Sequence, residues 1–165
     1  MNRRNALTAI SASLLFAIAA PAAAQSAKSL VGTWAIVSTD TVDASGKKTP
    51  TFGANPRGQL VFTSKGRYNI MLASAELPKF AADNRAKGTA QENQAVIAGS
   101  IAHFGRYTVD EKDKAFTYHI ESSTYPNWVG TAQKRPFTVA GDQLKYTTPA
   151  GSAGGKVDLV WKRIK

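Results

Sequence analysis

Thr131-Ala132-Gln133-Lys134-Arg135-Pro136-Phe137-Thr138-Val139-Ala140-Gly141-Asp142-Gln143-Leu144-Lys145-Tyr146-Thr147-Thr148 holds two short runs on either side of Gly141-Asp142. Thr131, Gln133, Arg135, Phe137 and Val139 fall on every second position, the period of a strand. A short Gly-containing break between two such runs makes a hairpin. The same pattern recurs outward along the chain. Ser64-Lys65-Gly66 separates residues 59–63 from 67–73, and residues 110–114 separate 103–109 from 115–123. Residues 30–42 form a long β-branched run that stops at the turn-forming Asp43-Ala44-Ser45-Gly46. Residues 157–164 follow a Gly-rich loop at 150–155. The count is eight strands joined mostly by hairpins. An all-β, antiparallel, up-and-down order of this kind loses its open edges by closing into a barrel.

One insert interrupts the alternation. Residues 77–88, with Pro78, Asp83 and Asn84, read as an irregular crossing. Thr89-Ala90-Gln91-Glu92 then has the spacing of a capping box. The helix it predicts, residues 90–101, sets Ala90, Gln94, Ile97 and Ile101 along one stripe. This helical insert lies between the third and fourth strands, either as a plug or lid at one mouth or packed on the outside.

The chain has 165 residues, no cysteine and a net charge of +10. Residues 1–24 read as a cleavable signal peptide: Arg3-Arg4, an uncharged apolar run, then Ala22-Ala23-Ala24 before Gln25. The run is shorter than a membrane span requires. Its removal leaves 141 residues, 25–165, enough for one domain with a real core, and lowers the net charge to +8. The expected location is the periplasm or the exterior, with no stable membrane insertion after cleavage. The remaining basic residues are scattered through turns, which argues for a solvated surface and against nucleic acid as partner. Without cysteine there are no disulfides and no thiolate metal sites.

Six segments carry a resemblance. They are Leu30-Val31-Gly32-Thr33-Trp34, residues 57–66, residues 104–110, Tyr118-His119-Ile120-Glu121-Ser122, residues 126–135 from Pro126-Asn127-Trp128, and Leu159-Val160-Trp161-Lys162-Arg163. In this order they resemble the bacterial lipocalin-like domain family of the calycin superfamily, across nearly all of residues 25–165. The resemblance implies a ligand-holding barrel and leaves the ligand open, since a fold does not dictate chemistry.

Alternation assigns inner faces. On the first strand Leu30, Gly32, Trp34, Ile36 and Ser38 share the face of Trp34; on the last, Val157, Leu159, Trp161 and Arg163 share one. First and last strands adjoin in a closed barrel, so Arg163 is expected to lie against Trp34 and cap the closed end, as the resemblance also implies. On the sixth strand Phe137 and Val139 turn Gln133 and Arg135 inward. An inward arginine needs a partner: the head group of a ligand, or Glu121 of the preceding strand. His119 and Glu121 share a face, and one register of the second hairpin sets His103 opposite His119, in a His-His-Glu cluster that a one-residue shift destroys. Trp128 follows a Pro-led turn, as a ligand gate or as the filling of that mouth.

The candidate ligand-contacting residues are therefore Arg135, Gln133, Tyr107, His119, Glu121 and Trp128. The leading expectation is a carrier for a small hydrophobic or amphipathic molecule, anionic where Arg135 meets it. A cyclase or isomerase using Tyr107, His119, Glu121 and Arg135 inside the cavity stays open, as does a ligand-free structural envelope protein. No catalytic motif, metal-ligand spacing or phosphate loop is present in the sequence, and no cofactor or metal is expected.

Overall fold

The computed structural model describes residues 26–165; the expected leader lies outside the described residues. The chain runs α1 (Ala27–Leu30), β1 (Gly32–Val42), β2 (Lys48–Pro50), β3 (Arg57–Phe62), β4 (Arg67–Ala73), α2 (Ala90–Ala98), β5 (Ser100–Asp110), β6 (Ala115–Ser123), β7 (Ala132–Ala140), β8 (Gln143–Thr148) and β9 (Lys156–Arg163). Each strand from β3 to β8 pairs antiparallel with the next, and β1 hydrogen-bonds both β3 and β9. Eight strands therefore close into the barrel that the hairpin pattern predicts.

Three local differences have physical reasons. The short β2 pairs only with the far end of β1, from Asp40↔Pro50 to Val42↔Lys48. Its three residues are all exposed, so no alternation marks it in the sequence. With β2 counted, the helix follows the fourth strand in chain order rather than the third. The helix is also shorter than expected. It opens with the capping box, Thr89 Oγ1 accepting from Glu92 N–H at 3.2 Å and Glu92 Oε2 accepting from Thr89 N–H at 2.7 Å. It ends where Gly99 N–H meets the Ala95 carbonyl. Ile101, expected on its stripe, lies in β5 opposite Leu72. Leu30, expected in the first strand, ends α1 instead.

The closed end follows the sequence reading. Trp34 is fully buried, its indole N–H donates to the Leu30 carbonyl at 2.8 Å, and the Arg163 guanidinium sits 4.0 Å from its ring centroid. Arg163 also donates to the Val31 carbonyl at 2.6 Å and the Ser29 carbonyl at 2.8 Å. Gly32 leaves the space for this: at φ +137° a side chain is strained, and a Cβ would stand 2.5 Å from Arg163 Nη1. Above Trp34 and Trp161 the interior is packed by aromatic rings, with Phe62 edge-on to Tyr107 at 4.7 Å and Phe116 edge-on to Tyr118 at 4.7 Å.

Two β-bulges reset the alternation toward the open end. The β1–β9 register slips between Ile36 and Ser38, so the buried face passes from Trp34 to Thr39. Ser38 therefore leaves the inner face on which even spacing places it. On β6, Gly105 pairs with Ile120 and Phe104 with Ser122, leaving Glu121 as the extra residue. A Cβ on Gly105 would fall on the His119 carbonyl oxygen, so glycine is the residue that lets the bulged strand approach.

Candidate functional site

The open half of the barrel encloses a cavity of about 730 Å³. Ile70, Leu72, Ile101, Val157 and Leu159 supply apolar wall. Phe52, Val96, Ile97, Tyr125 and Trp128 surround the mouth together with the loop at 151–154. The last turn of helix α2 thus borders the mouth. Ile97 is 73 % exposed although it borders the cavity, and no residue of the helix is buried.

The polar groups gather deep in the cavity. Arg135 is 4 % exposed and reaches the cavity beside Tyr118 and Tyr146, which are equally buried. Its position follows from the alternation of β7, whose inner face is Gln133, Arg135, Phe137 and Val139 as the sequence predicts. The guanidinium is held from behind. One terminal nitrogen donates to the Lys134 carbonyl at 3.2 Å and the other to Gln133 Oε1. Gln133 is in turn fixed by its own N–H to Thr131 Oγ1 at 3.0 Å, and Thr131 Oγ1–H donates to the Trp128 carbonyl at 2.7 Å. Arg135 Nε has no hydrogen-bond partner.

No acidic side chain among the described residues pairs with this cation. The expected Glu121 alternative is overturned, because buried Tyr118 and Ile120 hold the inner face of β6 and alternation leaves Glu121 outside. There it accepts from both terminal nitrogens of Arg67, at 2.6 and 2.8 Å, with Arg106 at 3.7 Å. The Arg67 guanidinium holds the Glu121 carboxyl below the usual carboxylate range. His119 also faces outward, its Nε2 3.0 Å from Thr108 Oγ1. His103 pairs with Ser123 and Arg106 with His119, so the His-His-Glu cluster does not form. Tyr107 is buried below the cavity, where its hydroxyl donates to the Thr63 carbonyl at 2.9 Å. Of the six candidates, Arg135 and Trp128 line the cavity, Gln133 positions Arg135, and Tyr107, His119 and Glu121 stand elsewhere.

The sequence reading placed His103 only in that cluster. It is buried on the cavity wall, its Nδ1 2.8 Å from the Tyr68 hydroxyl and its ring edge-on to Trp128 at 5.6 Å. Burial, with the Arg135 charge adding to it, pushes the imidazole down to about 3, so the ring is neutral at ordinary pH. Burial pushes the Tyr68 and Tyr118 phenols up and raises Tyr146 to about 12. Burial also lowers Arg135 from its ordinary value. Arginine nevertheless stays protonated in proteins. The cavity therefore holds one buried positive charge, Arg135, among neutral groups, and the exposed Arg85 also borders it.

A closed antiparallel barrel with one aromatic-packed end and one cavity defines a calycin-type binding fold. The lipocalin-like domain family matches this chain over residues 31–164, and the chain belongs to it. An alignment of 67 positions, covering 37 % of this chain, is 33 % identical to the 4'-hydroxy-3'-methoxypropiophenone carrier protein ppsC of Aspergillus oryzae (strain ATCC 42149 / RIB 40). That match covers 60 % of the length of the Aspergillus protein. No helix among the described residues is long and apolar enough to cross a membrane.

Proposed function

We propose that this protein is an exported carrier that holds a small, mainly apolar molecule in the barrel, with the molecule's oxygen-bearing end against Arg135. The observation that carries the reading is a buried cation at the base of an open apolar cavity with no acidic partner. A charge left unpaired in such a setting is costly, and a ligand oxygen relieves it. The volume suits a drug-sized molecule, and the mostly apolar wall with a few polar groups is the usual composition of such sites. The similar Aspergillus protein is named as a carrier of a small aromatic ketone, which has this character. The cyclase or isomerase alternative has lost its residues: of Tyr107, His119, Glu121 and Arg135, only Arg135 faces the cavity.

The test is displacement of a fluorescent apolar dye by size-matched phenols, ketones, acids and hydrocarbons, with native mass spectrometry of protein purified from its own cells. Oxygen-bearing molecules are expected to compete at least about tenfold better than hydrocarbons, the scale of one hydrogen bond to a charged group. Failure of every compound to compete, with no small molecule retained, overturns the reading. Export is tested separately by N-terminal sequencing. The protein is expected to begin near Gln25, and an intact Met1 on cytoplasmic protein overturns it.

A further inference from the structure

Polarity changes twice between the base of the cavity and its mouth. Arg135 stands at the base among tyrosine rings. Leu72 and Ile101, one strand step nearer the open end than Ile70 and His103, make the wall apolar, and Val157 continues it on β9. At the rim a second cation, Arg85, borders the cavity, and no acidic side chain lines it. Arg85 is exposed, and no carboxylate among the described residues lies within ion-pair distance of it. The segment that presents it is tied down along its own length. Asn84 Oδ1 accepts from the Ala86 N–H at 2.9 Å and so starts a single 3-10 turn, Arg85–Lys87. From helix α2, Glu92 accepts from the Ala81 N–H at 2.8 Å, and Asn93 donates its side-chain N–H to the Gly88 carbonyl at 3.1 Å. At the root of the insert, the Ser74 N–H donates to the Gly99 carbonyl at 2.8 Å. The backbone that carries Arg85 is therefore fixed to the helix whose last turn borders the same rim, and a ligand has only the Arg85 side chain to order.

We propose that Arg85 is a second anchor for the ligand, and that the cavity takes elongated molecules with an apolar body between two oxygen functions, the inner one against Arg135 and the outer, anionic one on Arg85. This deepens the carrier reading and rests on it. The two anchors act with different strengths. Arg135 is buried, so its bond to a ligand oxygen is worth about tenfold or more in affinity. Arg85 works in water, where an ion pair is worth about threefold at low salt and is screened as salt rises. Length decides whether the outer charge helps or harms. A molecule long enough sets its second carboxylate on Arg85; one that is too short leaves that carboxylate unpaired against the apolar wall, which is costly.

The probes are straight-chain α,ω-dicarboxylic acids from hexanedioic to tetradecanedioic acid, each beside its monomethyl ester, in displacement of the same fluorescent dye at neutral pH. The half-ester keeps the length and one carboxylate and removes the other charge. Short diacids are expected to bind more weakly than their half-esters, and the preference should reverse in favour of the diacid once the chain reaches the rim. At that length the preference for the diacid should fall by about threefold in Arg85→Gln, persist in Arg85→Lys, and fade at high salt in the unaltered protein. An unchanged preference in Arg85→Gln overturns the proposal, as does a preference indifferent to salt or a half-ester that wins at every length. The salt series needs no variant, so it decides even if a substitution disturbs the insert. If decanoate displaces the dye while no diacid or half-ester does, the two-ended ligand class falls and the carrier reading stands; if no molecule of any kind displaces it, both fall.

Discussion

Mild acid should loosen this barrel through His103. The imidazole is buried, hydrogen-bonded to Tyr68, close to a positive charge, and lowered from an ordinary 6.5 to about 3. In the unfolded chain it recovers its ordinary value. Between these two values the unfolded chain binds a proton that the folded chain refuses. Stability from this group is thus fully present above the unfolded value and falls as pH drops toward the folded one. At about pH 5 the unfolded form gains about 1.5 pH units of proton-binding free energy, or about 2 kcal/mol, and at about pH 7.5 almost none. The figure requires only that the folded value lie well below that lower pH. It is a large share of the total for a domain of this size. The assay is urea unfolding at both pH values for the unaltered protein and His103→Gln, which keeps a polar group facing Tyr68 but cannot titrate there. The difference between the two proteins should shrink, or reverse in favour of His103→Gln, by about 2 kcal/mol on going from the higher to the lower pH. Parallel pH dependence in the two proteins refutes the argument and means that His103 is hydrated or charged when folded.

The other expectations concern parts of the barrel with sharper steric limits. Trp34→Ala removes a fully buried aromatic from beneath Arg163 and should cost about 3–5 kcal/mol in chemical unfolding; a loss under about 1 kcal/mol would contradict the packing described. Gly105→Ala places a methyl group on the His119 carbonyl, and should destabilise by at least about 2 kcal/mol and shift the amide resonances of β5 and β6, whereas an unchanged melting curve would deny the bulge. Glu121→Gln breaks an exposed pair with Arg67 and should leave both stability and dye binding nearly unchanged. Loss of binding in that variant would return Glu121 to the cavity.

Much of this architecture was legible because a strand's alternation can be counted. β7 and β9 run without interruption, so Arg135, Phe137, Leu159 and Trp161 face inward where simple spacing puts them, and the pairing of Arg163 with Trp34 follows once the barrel closes. The errors begin where a strand gains a residue. A bulge inverts the parity of everything beyond it. The slip in β1 moves Ser38 off the inner face and brings Thr39 onto it, whereas Glu121 was set on the wrong face outright, since buried Tyr118 and Ile120 leave it outside; the extra residue on β6 then sets Ser123 opposite His103. Gly105 was the available signal, since a glycine inside a strand marks a bulge or a close approach. The position of His103 was hidden for the same reason: its neighbours depend on a register the hairpin loop alone did not fix. Helix α2 was legible at its start, where a side chain caps it, and misread at its end, where Ile97 and Ile101 look periodic but belong to a helix and a strand.

The latch of Arg163 onto the carbonyls of Ser29 and Val31 joins residues 134 and 132 positions apart. Its neighbour Ile164 adds a backbone N–H to the Thr33 carbonyl at 2.8 Å. Every other neighbouring pair in the ring is joined by a local connection, so this seam is the longest loop the chain must close and the slowest contact to find. A growing chain carries β1 with one flank bare until β9 has been made. Cutting the chain just before β9 would uncover two edges together, on β1 and on β8, and edges of that kind pair with other molecules. The final strand thus acts as a zip: until it is drawn shut, the protein is a curled sheet open to self-association, and afterwards it has a single mouth.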